Sequence, residues 1–132
     1  MNKKFILSVI AVFVVSMVLG FVTHGWLLSD EYNATGLMRS EAEQEAHAMW
    51  MLLAHVIMSV ALVVLYRKGL EDKPWAGQGI RFGFWLAMFG AVGVYMIYYA
   101  VQPVPGMLAV RQAAYDTINL MILGLVVAFM HR

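Results

Sequence analysis

The sequence predicts an all-α integral membrane protein: an up-down bundle of four transmembrane helices with both termini in the cytoplasm. Three observations predict it. Four long apolar runs, 5–28, 47–66, 80–101 and 107–130, fill nearly all of the 132 residues. Each supplies the roughly 20 apolar residues that carry a helix across about 30 Å of hydrocarbon. The chain is 62% hydrophobic and 13% charged, and the charges fall between the runs, whereas a soluble domain would alternate them with apolar residues. Lipid offers no partner to free backbone N–H and C=O groups, so each run is expected to be helical.

The formal net charge of +1 is uninformative, but its distribution orients the chain. Lys3 and Lys4 precede the first run, and between the second and third come Arg67, Lys68, Lys73 and Arg81 against Glu71 and Asp72. The loop after the first run instead carries Asp30, Glu31, Glu41, Glu43 and Glu45 against Arg39. The positive-inside rule therefore puts both termini and the middle loop on the cytoplasmic side of a bacterial inner membrane, with the acidic loop outside. Lys-Lys before an apolar stretch opens like a signal peptide, but the stretch continues for about six turns and no small-x-small pattern closes it, so it reads as an uncleaved first span. The loops are too short for a second domain. So few basic residues exclude a nucleic-acid role, and the lack of cysteine excludes disulfides, thiolate metal sites and iron–sulfur clusters.

Boundary signals follow in chain order. Ser40-Glu41-Ala42-Glu43 fits a capping box, so the second helix should start about two turns before the membrane. Gly69, after Arg67 and Lys68, suits a helix C-terminus with cations at the negative end of the dipole. Pro74 and Trp75 begin the return. Trp75 and Trp85 are expected at one interface, and Trp26, Trp50, Tyr95, Tyr98 and Tyr99 at the other. Pro103-Val104-Pro105-Gly106 is a tight turn that makes the third and fourth helices antiparallel neighbours.

Small residues recur at helical spacing. The third run has Gly79, Gly83, Ala87 and Ala91, with Gly90 and Gly93 beside them; the fourth has Ala109, Ala113 and Thr117, then Gly124 and Ala128. Such stripes let two backbones approach closely where lipid removes the hydrophobic drive. They either close the four-helix bundle or meet another subunit.

Chemistry must come from the few ionisable residues at membrane depth: His24, His47, His55 and Asp116, with Glu43 just outside. By topology all but the deeper His55 fall in the outer half of the bundle, and His55 lies about 12 Å farther along its helix than His47. Three uses compete. Asp116 is held structurally by Arg111, His24, Asn119 or Tyr115, or His24, Glu43, His47 and Asp116 ligate a divalent metal, with the histidines, His24 and His47 foremost, as alternative haem ligands. The third use is a proton or ion path through Asp116 and the histidines. The eleven methionines read as core filler, since no Met-x-x-Met ladder appears. No nucleophile triad, phosphate loop or paired-carboxylate pattern is present, which argues against an enzyme.

Several stretches carry a resemblance: Gly20-Phe-Val-x-His24-Gly25, Leu52-Leu-Ala-His55, Tyr66-Arg-x-Gly69 running on to Lys73-Pro-Trp-x-Gly-Gln-Gly79, Tyr98-Tyr-Ala-Val-Gln-Pro103-x-Pro-Gly106, and Asp116-Thr117. Over essentially its whole length the chain resembles a group of small four-helix inner-membrane proteins of proteobacteria, a group with no assigned activity. The resemblance implies the same topology and draws attention to His24, His55, the middle loop and Asp116. The functional expectation is a non-enzymatic accessory or stabilising subunit, packed through its small-residue faces against a membrane-protein partner. The alternatives are a metal- or haem-binding bundle and a small homo-oligomeric ion or proton transporter using Asp116.

Overall fold

The computed structural model describes residues 2–132. Helix α1 spans Lys3–Leu27, and two short helices follow, α2 at Ser29–Ala34 and α3 at Glu41–Ala46. Three long helices complete the chain: α4 at Ala48–Lys68, α5 at Trp75–Val101 and α6 at Gly106–Met130. These and α1 are the four long, apolar helices the sequence predicts. The third begins five residues earlier than its apolar run, because Pro74 supplies the start and Trp75 is already helical.

The helix ends follow local chemistry. Ser40 and Glu43 form the capping box: Glu43 N–H donates to Ser40 Oγ (3.3 Å) and Ser40 N–H to Glu43 Oε2 (3.0 Å). The bond from the Ser40 N–H, and after it the one from the Ser40 hydroxyl (3.1 Å), hold the Glu43 carboxyl below the usual glutamate range. The helix so started breaks at His47, which ends α3 and precedes α4. Gly69 closes α4 behind Arg67 and Lys68. The turn into α5 is tied by Gln78, whose side chain exchanges two hydrogen bonds with the Glu71 backbone (2.8 and 3.1 Å).

The long helices run up and down. At the end holding both described termini, Tyr66 packs edge-on to Phe82 (5.2 Å) and against His131 (5.9 Å), and Trp75 meets Phe129 (5.6 Å). Val12, Leu62, Val63, Leu123, Val127 and Ala128 fill the core here and Phe82 and Leu86 of α5 pack against them, so all four helices contribute. At the other end, which we call the acidic end, α1, α5 and α6 stay together while α4 stands away. Every residue of 41–54 is exposed.

The closest contact joins α5 and α6. A Cβ at Gly79 would lie 2.5 Å from the Gly124 carbonyl oxygen, and one at Gly83 would overlap the Leu120 carbonyl. Ala87 and Ala128 are fully buried. This part of the small-residue pattern is thus consumed inside the bundle, and the backbones meet where only glycine fits. Outward surfaces are apolar, with Phe89 88% and Phe21 71% exposed. A surface of this kind fits lipid and does not fit water.

Two segments depart from the α-helix. Leu28 N–H donates to the Thr23 carbonyl (3.0 Å) and Gly93 N–H to that of Met88, five residues back in each case. These π-helical turns, Phe21–Leu27 and Met88–Val92, each insert one residue and re-aim the side chains around them.

A Gly83→Val variant is expected to lose stability on the order of 3 kcal/mol or to fail to assemble. Gly90→Ala, where nothing lies within 4 Å of the new methyl, should unfold in detergent at the wild-type temperature.

Candidate functional site

Asp116 sits near the middle of α6, and its carboxylate is met from three helices. His24 Nε2–H, on the π-helical turn of α1, donates to it at 3.0 and 3.1 Å. Tyr95 O–H on α5 donates to Oδ2 at 2.5 Å. Asn119, one turn along α6, donates to Oδ1 at 3.3 Å and to Thr23 Oγ1 at 2.9 Å. A carboxylate only accepts, so the contact fixes which ring nitrogen of His24 carries the proton. No lysine or arginine bonds to it among the described residues.

The other side of His24 faces α2. Tyr32 O–H lies 2.5 Å from His24 Nδ1, with the two rings stacked at 5.8 Å, and Gln112 Nε2–H donates to the Tyr32 oxygen at 3.1 Å. Burial, the largest influence, pushes the Tyr32 phenol above the usual tyrosine range, and the Asp116 and Glu31 charges add to this against the Gln112 bond. The hydroxyl, 2.5 Å from His24 Nδ1, therefore keeps its hydrogen. Leu28 is buried beneath α2, and Glu31 pairs with Arg111 at the rim, so the short helix is fastened over the site.

Below this cluster a cleft of about 250 Å³ opens between α4 and the other helices. His24, Asp116 and Asn119 line one side and His55 of α4 the other, between apolar walls from Leu19, Met58, Leu120 and Leu123. Gly20 leaves the room: a Cβ there would touch His55 Nε2 at 3.5 Å. His55 Nδ1–H donates to the Met51 carbonyl (2.9 Å), which leaves Nε2 bare and facing the cleft. Gly90 and Ala91 of the second π-helical turn line the same space. Both π-helical turns of the described chain thus border one cleft, and such turns concentrate at functional sites.

Several expectations need correction. Of the metal set His24, Glu43, His47 and Asp116, only His24 and Asp116 meet. No group of three His, Cys, Asp or Glu side chains is placed to hold a metal among the described residues. Glu43 is engaged in its capping box, and His47 Nδ1–H donates to the Glu43 carbonyl (2.7 Å) on the exposed α3–α4 junction. For the same reason His24 and His47 do not pair as haem ligands; His55 is the histidine that shares the cleft with His24. Arg111 turns to Glu31 and Tyr115 makes no hydrogen bond to Asp116, so neither holds it. Tyr95, read as an interfacial aromatic, is a donor the sequence reading missed. The available signal was its depth: with Asp116 across the tight 103–106 turn, it falls at a similar height on an antiparallel neighbour.

No family model, curated protein or solved structure matches the chain. The resemblance expected from the sequence gains no support from these comparisons and transfers no residue role.

Removing the Tyr95 hydroxyl should be costly, because a charged acceptor then loses a donor that water is poorly placed to replace. Tyr95→Phe is expected to lower unfolding stability in detergent by about 1.5–3 kcal/mol, while Tyr98→Phe, at an exposed position, should leave it unchanged.

Proposed function

We propose that the protein is a multi-pass protein of a bacterial inner membrane, with both termini cytoplasmic, that binds a small molecule in the cleft between α4 and the other helices. It acts without catalysis. The orientation is supported by Lys3, Lys4, Arg67, Lys68, Lys73 and Arg81 at one end and the acidic 29–46 loop at the other. One observation carries the binding reading. The His24–Asp116 cluster, the bare His55 nitrogen and both π-helical turns border the same open cleft. A polar group inside a membrane is costly unless it serves structure or function. The carboxylate is explained by the helices it joins, but the His55 nitrogen and the room left by Gly20 have no structural use.

A second reading, an accessory subunit of a larger membrane complex, is favoured by the exposure of α4 on all sides over its first turns. The small-residue contacts between Gly79, Gly83 and Gly124 are spent internally, so such a partner would meet α4 instead. Homo-oligomeric ion transport through Asp116 is less well supported: the carboxylate already receives three donors, and Val12, Leu62, Leu123 and Val127 fill the bundle toward the terminus end.

Because the chain lacks cysteine, single cysteines report topology directly. Thr35→Cys should react with a membrane-impermeant maleimide added to intact cells with a permeabilised outer membrane, and Asp72→Cys only after lysis; the reverse pattern would overturn the orientation. Native mass spectrometry of protein drawn from its own membranes tests function. Wild type should carry a small-molecule adduct that Gly20→Leu, which fills the cleft, lacks. A wild type without an adduct would defeat the binding reading, and a second polypeptide at fixed stoichiometry would establish the accessory one.

A further inference from the structure

The hydrogen-bonding inventory of the cleft narrows what it would take. With its two histidines counted as neutral, no lining side chain has a hydrogen left to give. Ser16 O–H donates to the Phe13 carbonyl (2.9 Å), and His24 Nε2–H is committed to Asp116. His55 Nδ1–H goes to Met51, and the Asn119 amide hydrogens go to Thr23 and Asp116. What remains accepts only. His55 Nε2 and the Asn119 carbonyl receive nothing from the described chain, and three donor groups leave Asp116 about one of roughly four acceptor sites. The formal charge of the lining is that of one carboxylate, with no lysine or arginine among its residues.

A molecule that accepts hydrogen bonds would meet these groups lone pair against lone pair, and an anion would meet Asp116 as a like charge. A donor with positive charge meets all three. The mouth lies between apolar helices, with Leu19 and Met58 on its walls, so the remainder of the molecule is apolar. The volume of about 250 Å³ lies below the range that holds drug-sized ligands whole, so a head group enters and a tail stays outside.

Resting on the binding reading above, we propose that the cleft takes a primary ammonium group carrying an apolar tail. Its three N–H donors match His55 Nε2, the Asn119 carbonyl and the open site on Asp116. A neutral phenol or quinol could satisfy two of these acceptors but leaves the carboxylate charge uncompensated.

Binding of n-octylammonium to the full-length protein in phosphatidylcholine nanodiscs tests this, measured by equilibrium dialysis against empty nanodiscs, with octanol, octanoate and a short-chain quinol as comparisons. Wild type should bind octylammonium saturably, one per chain, and at least tenfold more tightly than octanol. His55→Ala should weaken it about tenfold. Gly20→Leu, which leaves the Asp116 cluster intact, should abolish it, with thermal unfolding showing that both variants are folded. Octanol or quinol binding as well as octylammonium would overturn the ammonium assignment while leaving a ligand-binding cleft. Saturable octylammonium binding that survives Gly20→Leu would move the site elsewhere and overturn it too. If no probe binds above empty nanodiscs, the assignment fails, and the native adduct then decides separately whether the cleft binds anything.

Discussion

A carboxylate with no lysine or arginine bonded to it stays inside this bundle because three helices deliver donors to it. Asp116 takes hydrogens from His24, Tyr95 and Asn119, and each bond to an ionised group is worth more than a neutral one. The demand is directional. It sets the rotation of α1, α5 and α6 about their axes, since a small twist of any of them would leave the charge short of a donor. The π-helical turn at Phe21–Leu27 can be understood through this demand: the inserted residue belongs to the turn that carries both Thr23 and His24 into the cluster. Tyr32 then extends the same network to α2 and holds that helix down.

The glycine contact between α5 and α6 works with the cluster from the opposite end. Gly79 and Gly83 against Gly124 and Leu120 bring the backbones together near the terminus end. Tyr95 and Asp116 fasten them nearer the acidic end. Two points of attachment make this pair a rigid slab, and α1 is clamped to it through His24. The buried residues of α4, Ser59, Leu62, Val63 and Tyr66, all lie in its half toward the terminus end. The cleft is the space that this asymmetry leaves.

Much of the fold was legible because lipid imposes simple rules. Apolar run length, the Ser40 capping box and the Pro103–Gly106 turn each depend on neighbours in sequence. The pairing of Asp116 with His24 and Asn119 was also legible, since few polar side chains are available at that depth. What could not be read depends on angles around helix axes. The two inserted residues shift the helical phase without any mark in composition, so the direction of His24 and of Gly90 was hidden. Tyr95 looked like its neighbours Tyr98 and Tyr99, which are exposed, and only the relative height of α5 and α6 separates them. His47 was overvalued because the break between α3 and α4 turns it back onto the Glu43 carbonyl.

Buried only in its half toward the terminus end, α4 is a lever. From Leu62 to Ala48 the helix runs 14 residues, or about 21 Å, so a tilt of about 10° about the Leu62 contact moves its far end by roughly 4 Å. Helices in bilayers change tilt with hydrocarbon thickness at modest cost, and α1, α5 and α6, bolted to one another, cannot follow. In the proposed orientation a thinner bilayer therefore changes the gap between His55 and the Asp116 cluster directly. Lipid composition, acting as a mechanical load on one loose helix, would set how far the cleft stands open.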